Sequence, residues 1–280
     1  VPVYVENESR FLQIDRSVGG LISYPFSRAL RVDFSGGGRN IAYKQDVRSR
    51  TYDFNSGQQI AEDTTELPSP DDLLFGEGSA ALVFDTSIMG ATSPIRGSRY
   101  RLELGQSAGN ITFTNLTADV RTYLMPVKPY TFAFRGLYYA RYGNDAEDFR
   151  LPTLYLGYPG LVRGYAQGSF ETGECGLQPD GSCPTFDRLL GSRVAIFNAE
   201  VRFPLWGALT GGRGSFYGPL PVEMAVFADS GVAWGQSTSV LYGGNQKEPV
   251  SSVGLAWRAN LMGFAVAVID FVRPLDPPGR

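Results

Sequence analysis

A loop rich in glycine and proline surrounds Arg163, the residue with the clearest potential for a specific interaction. Residues 157–168 read Gly-Tyr-Pro-Gly-Leu-Val-Arg-Gly-Tyr-Ala-Gln-Gly. Glycine permits close backbone approach and proline fixes its own φ, so the loop has a defined shape. A shaped loop that presents one charge usually needs a matching charge, and the candidates downstream are Glu200 and Asp229. The alternative is an unpaired arginine in a surface loop.

Patterns for catalysis and metal binding are weak. The chain has no histidine, which removes the usual general base and the commonest metal ligand. The nearest carboxylate cluster, Asp71, Asp72 and Glu77, adjoins a long polar segment, where solvated charges are the simpler interpretation. The sequence has no nucleophile elbow and no phosphate-binding loop. We therefore expect no enzyme, no metal and no cofactor, and the net charge of −3 indicates no nucleic-acid partner.

The two cysteines, Cys175 and Cys183, flank the short polar segment 176–182. There is no Cys-x-x-Cys pattern, and two ligands would make an incomplete metal site. Their spacing predicts a local disulfide formed in an oxidising compartment.

Alternation of apolar and polar residues predicts about ten strands and no helix. The 34 glycines and the aromatic content of 13% favour strands and tight turns. Connections alternate between short turns and long polar loops at 55–72, 143–191 and 235–252, and the polar faces carry several charges. A soluble β-sandwich also alternates, but it does not normally sort its loops by length. The pattern favours an all-β fold, a transmembrane antiparallel β-barrel.

In such a barrel the apolar faces of the strands point outward to lipid. The alternation of apolar and polar residues predicts that Leu102, Leu104, Val226, Trp257 and Phe271 face lipid.

Four ordered motifs resemble the BamA/TamA-type barrels of the bacterial surface antigen family. Val-Arg-Gly-Tyr at 162–165 resembles the motif on the long sixth loop of that family, and Phe-Ala-Asp-Ser-Gly at 227–231 resembles its aromatic-x-Asp-x-Gly strand. The segment 199–204 is similar to the strand between them. Residues 269–275 match the penultimate strand of the family. The resemblance covers about residues 98–275.

The resemblance implies a barrel of about sixteen strands whose sixth loop folds back into the lumen. By position, the docked motif is Val162, Arg163, Gly164 and Tyr165, and its docking partners are Glu200, Asp229 and Gly231. The planar fork of donors on arginine can bind two carboxylates at once.

The chain departs from the family pattern at both ends. It stops after the penultimate strand, begins with too few strands and contains no periplasmic POTRA-type domain. We therefore interpret residues 1–280 as one β-barrel domain that lacks its final strand and some N-terminal strands.

The resemblance implies a bacterial outer-membrane protein that helps to insert or translocate other proteins. Its expected partners are outer-membrane lipids, client β-barrel or secreted proteins, and other assembly subunits. The alternative is a passive pore or structural outer-membrane barrel without insertase activity, for which the same alternation suffices.

Overall fold

The computed structural model of the protein describes residues 2–169, 183–209, 221–240 and 246–276. Within them the strands are β1 (Val3–Pro25), β2 (Leu30–Asp53), β3 (Gln59–Leu67), β4 (Leu73–Asp85), β5 (Ile88–Met89), β6 (Pro94–Gly109), β7 (Phe113–Val127), β8 (Tyr130–Tyr142), β9 (Leu154–Tyr155), β10 (Leu190–Gly191), β11 (Arg193–Pro204), β12 (Val222–Trp234), β13 (Val250–Leu261) and β14 (Ala265–Pro274). The helical elements are a 3-10 turn (Gln167–Ser169), α1 (Pro184–Asp187) and α2 (Leu205–Leu209). No helix in these ranges is long and apolar enough to cross a membrane.

The main sheet follows the order β1-β2-β4-β6-β7-β8-β11-β12-β13-β14. All neighbours in this order pair antiparallel, as consecutive up-and-down strands do. β3 pairs with β2, β5 pairs with β6, and β9 pairs with β10 in a separate small sheet. The ten strands of the main path confirm the all-β prediction.

The polar residues predicted to share one face of the strands do lie together, on what we call the inner face. This face carries Asp229 of β12, which is almost completely buried, whereas Val226 of the same strand is 50% exposed on the outer face. The five residues predicted to face lipid all lie on the outer face: Leu102, Leu104, Val226 and Phe271 are exposed and Trp257 is half-buried. Their contact with lipid stays a prediction.

The structure differs from the sequence prediction in the segment 55–72, which contains β3 and is not a continuous loop, and in the two short helices α1 and α2, where the sequence predicted none. β3 pairs with the second half of β2, from Gln45↔Leu67 to Tyr52↔Gln59. Both faces of β3 are exposed, and Glu62 forms ion pairs with Arg48 and Arg50 across the strands. The residues of β3, Gln-Ile-Ala-Glu-Asp-Thr-Thr-Glu-Leu, show no alternation of apolar and polar side chains, so the sequence carried no signal for this strand.

The long connection between β8 and β11 packs on the inner face through two apolar clusters. One cluster joins Ala146 and Leu151 of the connection to aromatic and aliphatic residues of the first strands, Ile41, Tyr43, Leu73, Phe75 and Phe113. The second joins Leu156, Val162 and Tyr165 to β11 and β12. Burial of these side chains fixes the glycine-rich loop against the sheet. The predicted Cys175–Cys183 bridge stays a prediction, because Cys175 lies outside the described residues.

Candidate functional site

Three alternate residues of β12, Phe227, Asp229 and Gly231, form the floor of the candidate site. Alternation in a strand places all three on the same face. Phe227 and Asp229 contact Arg163, and Gly231 contacts Val162, in what we call the docked loop, residues 154–168. Phe227 lies under the guanidinium of Arg163, whose Cζ is 3.3 Å from the ring centroid. The face of an aromatic ring attracts a cation at this distance.

Asp229 binds Arg163 through both of its carboxylate oxygens. Arg163 Nε donates to Asp229 Oδ2 at 2.6 Å and Nη2 donates to Oδ1 at 2.8 Å. The backbone N–H of Arg163 also donates to Oδ2, at 3.3 Å. Asn198 of β11 donates its amide to Asp229 Oδ1 at 2.9 Å and to the carbonyl of Leu161 at 2.8 Å. This two-pronged geometry is the one that a planar guanidinium favours.

Glu200 of β11 is the centre of a larger cluster. Its Oε1 lies 3.0 Å from Arg163 Nη2, and its Oε2 accepts from Arg202 Nε at 2.6 Å. Arg258 of β13 donates to both oxygens, at 3.1 Å and 3.0 Å, and to Glu223 of β12 at 3.2 Å. One carboxylate therefore holds three arginines together.

Glycines make room for the backbone and the aliphatic part of the docked loop. A Cβ atom on Gly231 would lie 2.6 Å from Val162 Cγ2, so a side chain there would displace Val162. Gly164 has a φ of 91°, which favours glycine, and a Cβ on it would lie 2.8 Å from Val272 Cγ1 of β14. Both glycines are needed for the close approach of the docked loop to the sheet.

Tyr165 fixes the end of the docked loop. Its hydroxyl donates to the carbonyl of Ser251 at 2.7 Å, next to β14. Its own carbonyl accepts a hydrogen bond from the hydroxyl of Tyr155. The four residues of the Val-Arg-Gly-Tyr motif thus contact β11, β12, β13 and β14.

The charged side chains at the centre of the site are buried. The side chains of Arg163, Glu200 and Asp229 are 10%, 9% and 0% exposed. Burial opposes the charge of Arg163, but the hydrogen bonds to Asp229 and the charges of Glu200, Asp229 and Asp270 outweigh it and raise the pKa of its guanidinium. Asp270 of β14 lies 3.9 Å from Arg163 Nη1. A polar cavity of about 300 Å³ adjoins the cluster on the inner face.

The structure brings together all the docking residues named from the sequence, and it adds others. Arg202, Glu223, Asn198 and Arg258 were not named as site residues. Alternation puts Arg202 on the same face as Glu200, so a signal existed for it, whereas the meeting of Arg258 with Glu200 depends on strand register and curvature. Within the described residues, no group of three or more potential ligands could hold a metal ion.

Comparisons with known proteins agree on one fold. The model of the Omp85 superfamily domain matches residues 6–278. The crystal structure of BamA from Haemophilus ducreyi lacking POTRA domains 1-3 is similar, with a TM-score of 0.55 and 12% sequence identity. The match covers 95% of this chain and 59% of that chain, so this chain spans less than two thirds of the BamA chain. No curated protein gave a significant match.

Proposed function

The chain belongs to the Omp85 superfamily, and we propose that it assists the insertion or translocation of proteins at the outer membrane. It is a β-barrel protein of the bacterial outer membrane. The proposed mechanism is strand addition, in which a client β-strand pairs with an end strand of the sheet. The proposed partners are client β-barrel or secreted proteins and other assembly subunits. No enzymatic step is part of this proposal.

The observation that carries the proposal is the position of the docked loop against an end of the sheet. Gly164 approaches Val272 of β14, and Arg163 lies near Asp270 of the same strand. Within the described residues β14 pairs only with β13. The docked loop therefore packs against β14, the strand whose free edge a client strand would pair with. In the part of the chain that the structure describes, the loop itself forms no strand pairing with that edge.

Site-specific photocross-linking tests the proposal. A photoreactive residue is placed at Ile269 of β14, which is 51% exposed, or at Leu116 of β7, which is 37% exposed in the middle of the sheet. The whole protein in lipid vesicles is then offered an unfolded outer-membrane barrel protein as client. We expect client adducts at Ile269 and not at Leu116. Adducts at neither position, together with ion conductance, would support a passive pore and exclude strand addition.

The outer face gives a prediction about lipid contact. Val226 lies mid-strand in β12 between Val201 and Leu255. Val226→Arg is expected to lower the free energy of unfolding in vesicles by about 2–4 kcal/mol, because it places a charge in hydrocarbon. The matched control is Thr117→Arg on the inner face, opposite Glu103, which should cost much less. Equal losses in denaturant titrations of the two variants would contradict a lipid-facing outer surface.

A further inference from the structure

A second segment crosses the inner face from the end of the sheet where the connections are mostly short turns. We call residues 86–97, between β4 and the body of β6, the inner strap. Ser93 of the strap donates its hydroxyl to Glu223, with the two oxygens at 2.8 Å and 2.9 Å. Asn260 of β13 donates to the carbonyl of Ala91 at 2.5 Å, and Arg202 donates to that of Pro94 at 3.4 Å.

These contacts reach across the inner space and do not follow the strand ladder. Ser93 and Glu223 are 130 residues apart, and Asn260 and Ala91 are 169 apart. In the sheet, β7, β8 and β11 lie between β6 and β12. The strap therefore spans the opening between opposite parts of the curved sheet.

The strap is anchored at its tip, the turn at 90–93, and is exposed along its stem, where Ile88 and Met89 pair with Arg96 and Pro94. Thr92 and Ser93 are 9% and 7% exposed, whereas Ile88 and Met89 are 56% and 64% exposed. Glu223, the residue that Ser93 contacts, is 2% exposed. Burial of an unpaired carboxylate costs free energy. Ser93 and Arg258 therefore stabilise the buried Glu223, and Glu223 in turn holds both of them in place.

Glu223 is also one end of the ion-pair cluster that binds the docked loop. Arg258 bridges Glu223 and Glu200, and Glu200 contacts Arg163. Glu223 and Asp229 are six positions apart in β12, which corresponds to about 20 Å along a strand. One continuous set of charges therefore joins two inserted segments that enter the inner space from opposite ends.

We propose that the inner strap is a second docked segment that closes the inner space at the short-turn end. In this arrangement Glu223 is a positioning residue, because it holds the strap through Ser93 and acts on the docked loop through Arg258 and Glu200. Release of the strap opens that end of the inner space, while release of Glu223 loosens both segments.

Thiol labelling measures the opening of the strap in the whole protein. The reporter is Thr92→Cys in a Cys175→Ser, Cys183→Ser background, reconstituted in vesicles and treated with a bulky water-soluble maleimide. Thr92 Oγ1 is buried without a hydrogen-bond partner, so this substitution removes no hydrogen bond. Adding Ser93→Ala or Glu223→Gln should accelerate labelling about tenfold, which is the effect of losing one hydrogen bond to a charged group.

The two variants are expected to differ at the docked loop. Chymotrypsin cleavage after Tyr155 and Tyr165 should rise several-fold in Glu223→Gln and stay unchanged in Ser93→Ala. Glu103→Gln, which alters a carboxylate on the inner face of β6, is the control and should change neither rate. Ser93→Ala keeps every charge of the barrel. An unchanged labelling rate in this variant would contradict the docking of the strap through Ser93. Unchanged cleavage in a folded Glu223→Gln would overturn its link to the docked loop. No client protein enters these measurements, so their failure is distinct from failure of the proposed function.

Discussion

Replacement of Arg163 by alanine is expected to release the docked loop while the barrel stays folded. The variant removes the arginine from the fully buried Asp229, which keeps only the amide of Asn198 and the backbone N–H of residue 163 as donors among the described residues. It also removes one of the three arginines at Glu200. Breaking a buried ion pair costs about 3–5 kcal/mol. The strand ladder does not depend on Arg163, so the loss falls on the docking of residues 154–168. Because proteolysis follows the population of the open form, we expect chymotrypsin cleavage of the loop to rise roughly a hundredfold or more.

Two further variants separate the ion pair from a general effect of charge. Arg163→Lys keeps the charge but loses the planar fork, so it should restore protection only in part. Arg188→Ala removes an arginine near the end of the same connection, whose partner Glu248 is 81% exposed at 3.8 Å. An exposed pair of this kind contributes about 0–1 kcal/mol, and cleavage should barely change. Cleavage that rises equally in Arg163→Ala and Arg188→Ala would contradict the docking of Arg163.

Glu200→Gln is expected to have the largest effect on the stability of the sheet itself. The amide has nearly the same shape, but it leaves Arg163, Arg202 and Arg258 close together without the carboxylate that holds them. Among the described residues, Arg202 has no other carboxylate within ion-pair distance. We expect the free energy of unfolding in vesicles to fall by about 3–5 kcal/mol, as for other buried charges that lose their partner.

The control for Glu200→Gln is Glu103→Gln on another strand of the same face. Glu103 pairs with Arg101, whose second carboxylate is Asp33, and its side chain is 25% exposed. A loss of about 1 kcal/mol or less is expected there, because the arginine keeps a partner and water screens the site. Denaturant titrations that give the same loss for both glutamates would show that Glu200 has no special role.

The sequence predicted the strands that carry a continuous apolar face and missed β3, which carries none. β8 and β12 are examples of the predicted strands, because each carries a continuous apolar face opposite a polar one. β3 is held by backbone pairing and by ion pairs of Glu62 with Arg48 and Arg50. These interactions require no alternation of apolar and polar residues in the sequence. The structure of β3 follows from its pairing with β2, and no local sequence pattern indicates this pairing.

The contacts of the candidate site that lie within sequence motifs could be predicted, whereas the contacts that depend on the curvature of the sheet could not. Arg163, Glu200 and Asp229 could be named together because the loop and strand motifs resemble those of a known family. The contact of Ser93 with Glu223 could not, since it depends on how far the sheet curls between β6 and β12. Register along each strand follows from alternation, but the approach of distant strands does not.

A double-mutant cycle on Arg163 and Asp229 tests the docking of the loop most directly. Chymotrypsin cleavage of the docked loop is measured in the wild-type protein, in Arg163→Ala, in Asp229→Ala and in the double variant, all in vesicles. If the two side chains act as one docked pair, each single variant releases the loop and the double variant is little worse than either. Strictly additive effects, or a loop that stays equally protected in all four proteins, would contradict the docking of Arg163 on Asp229.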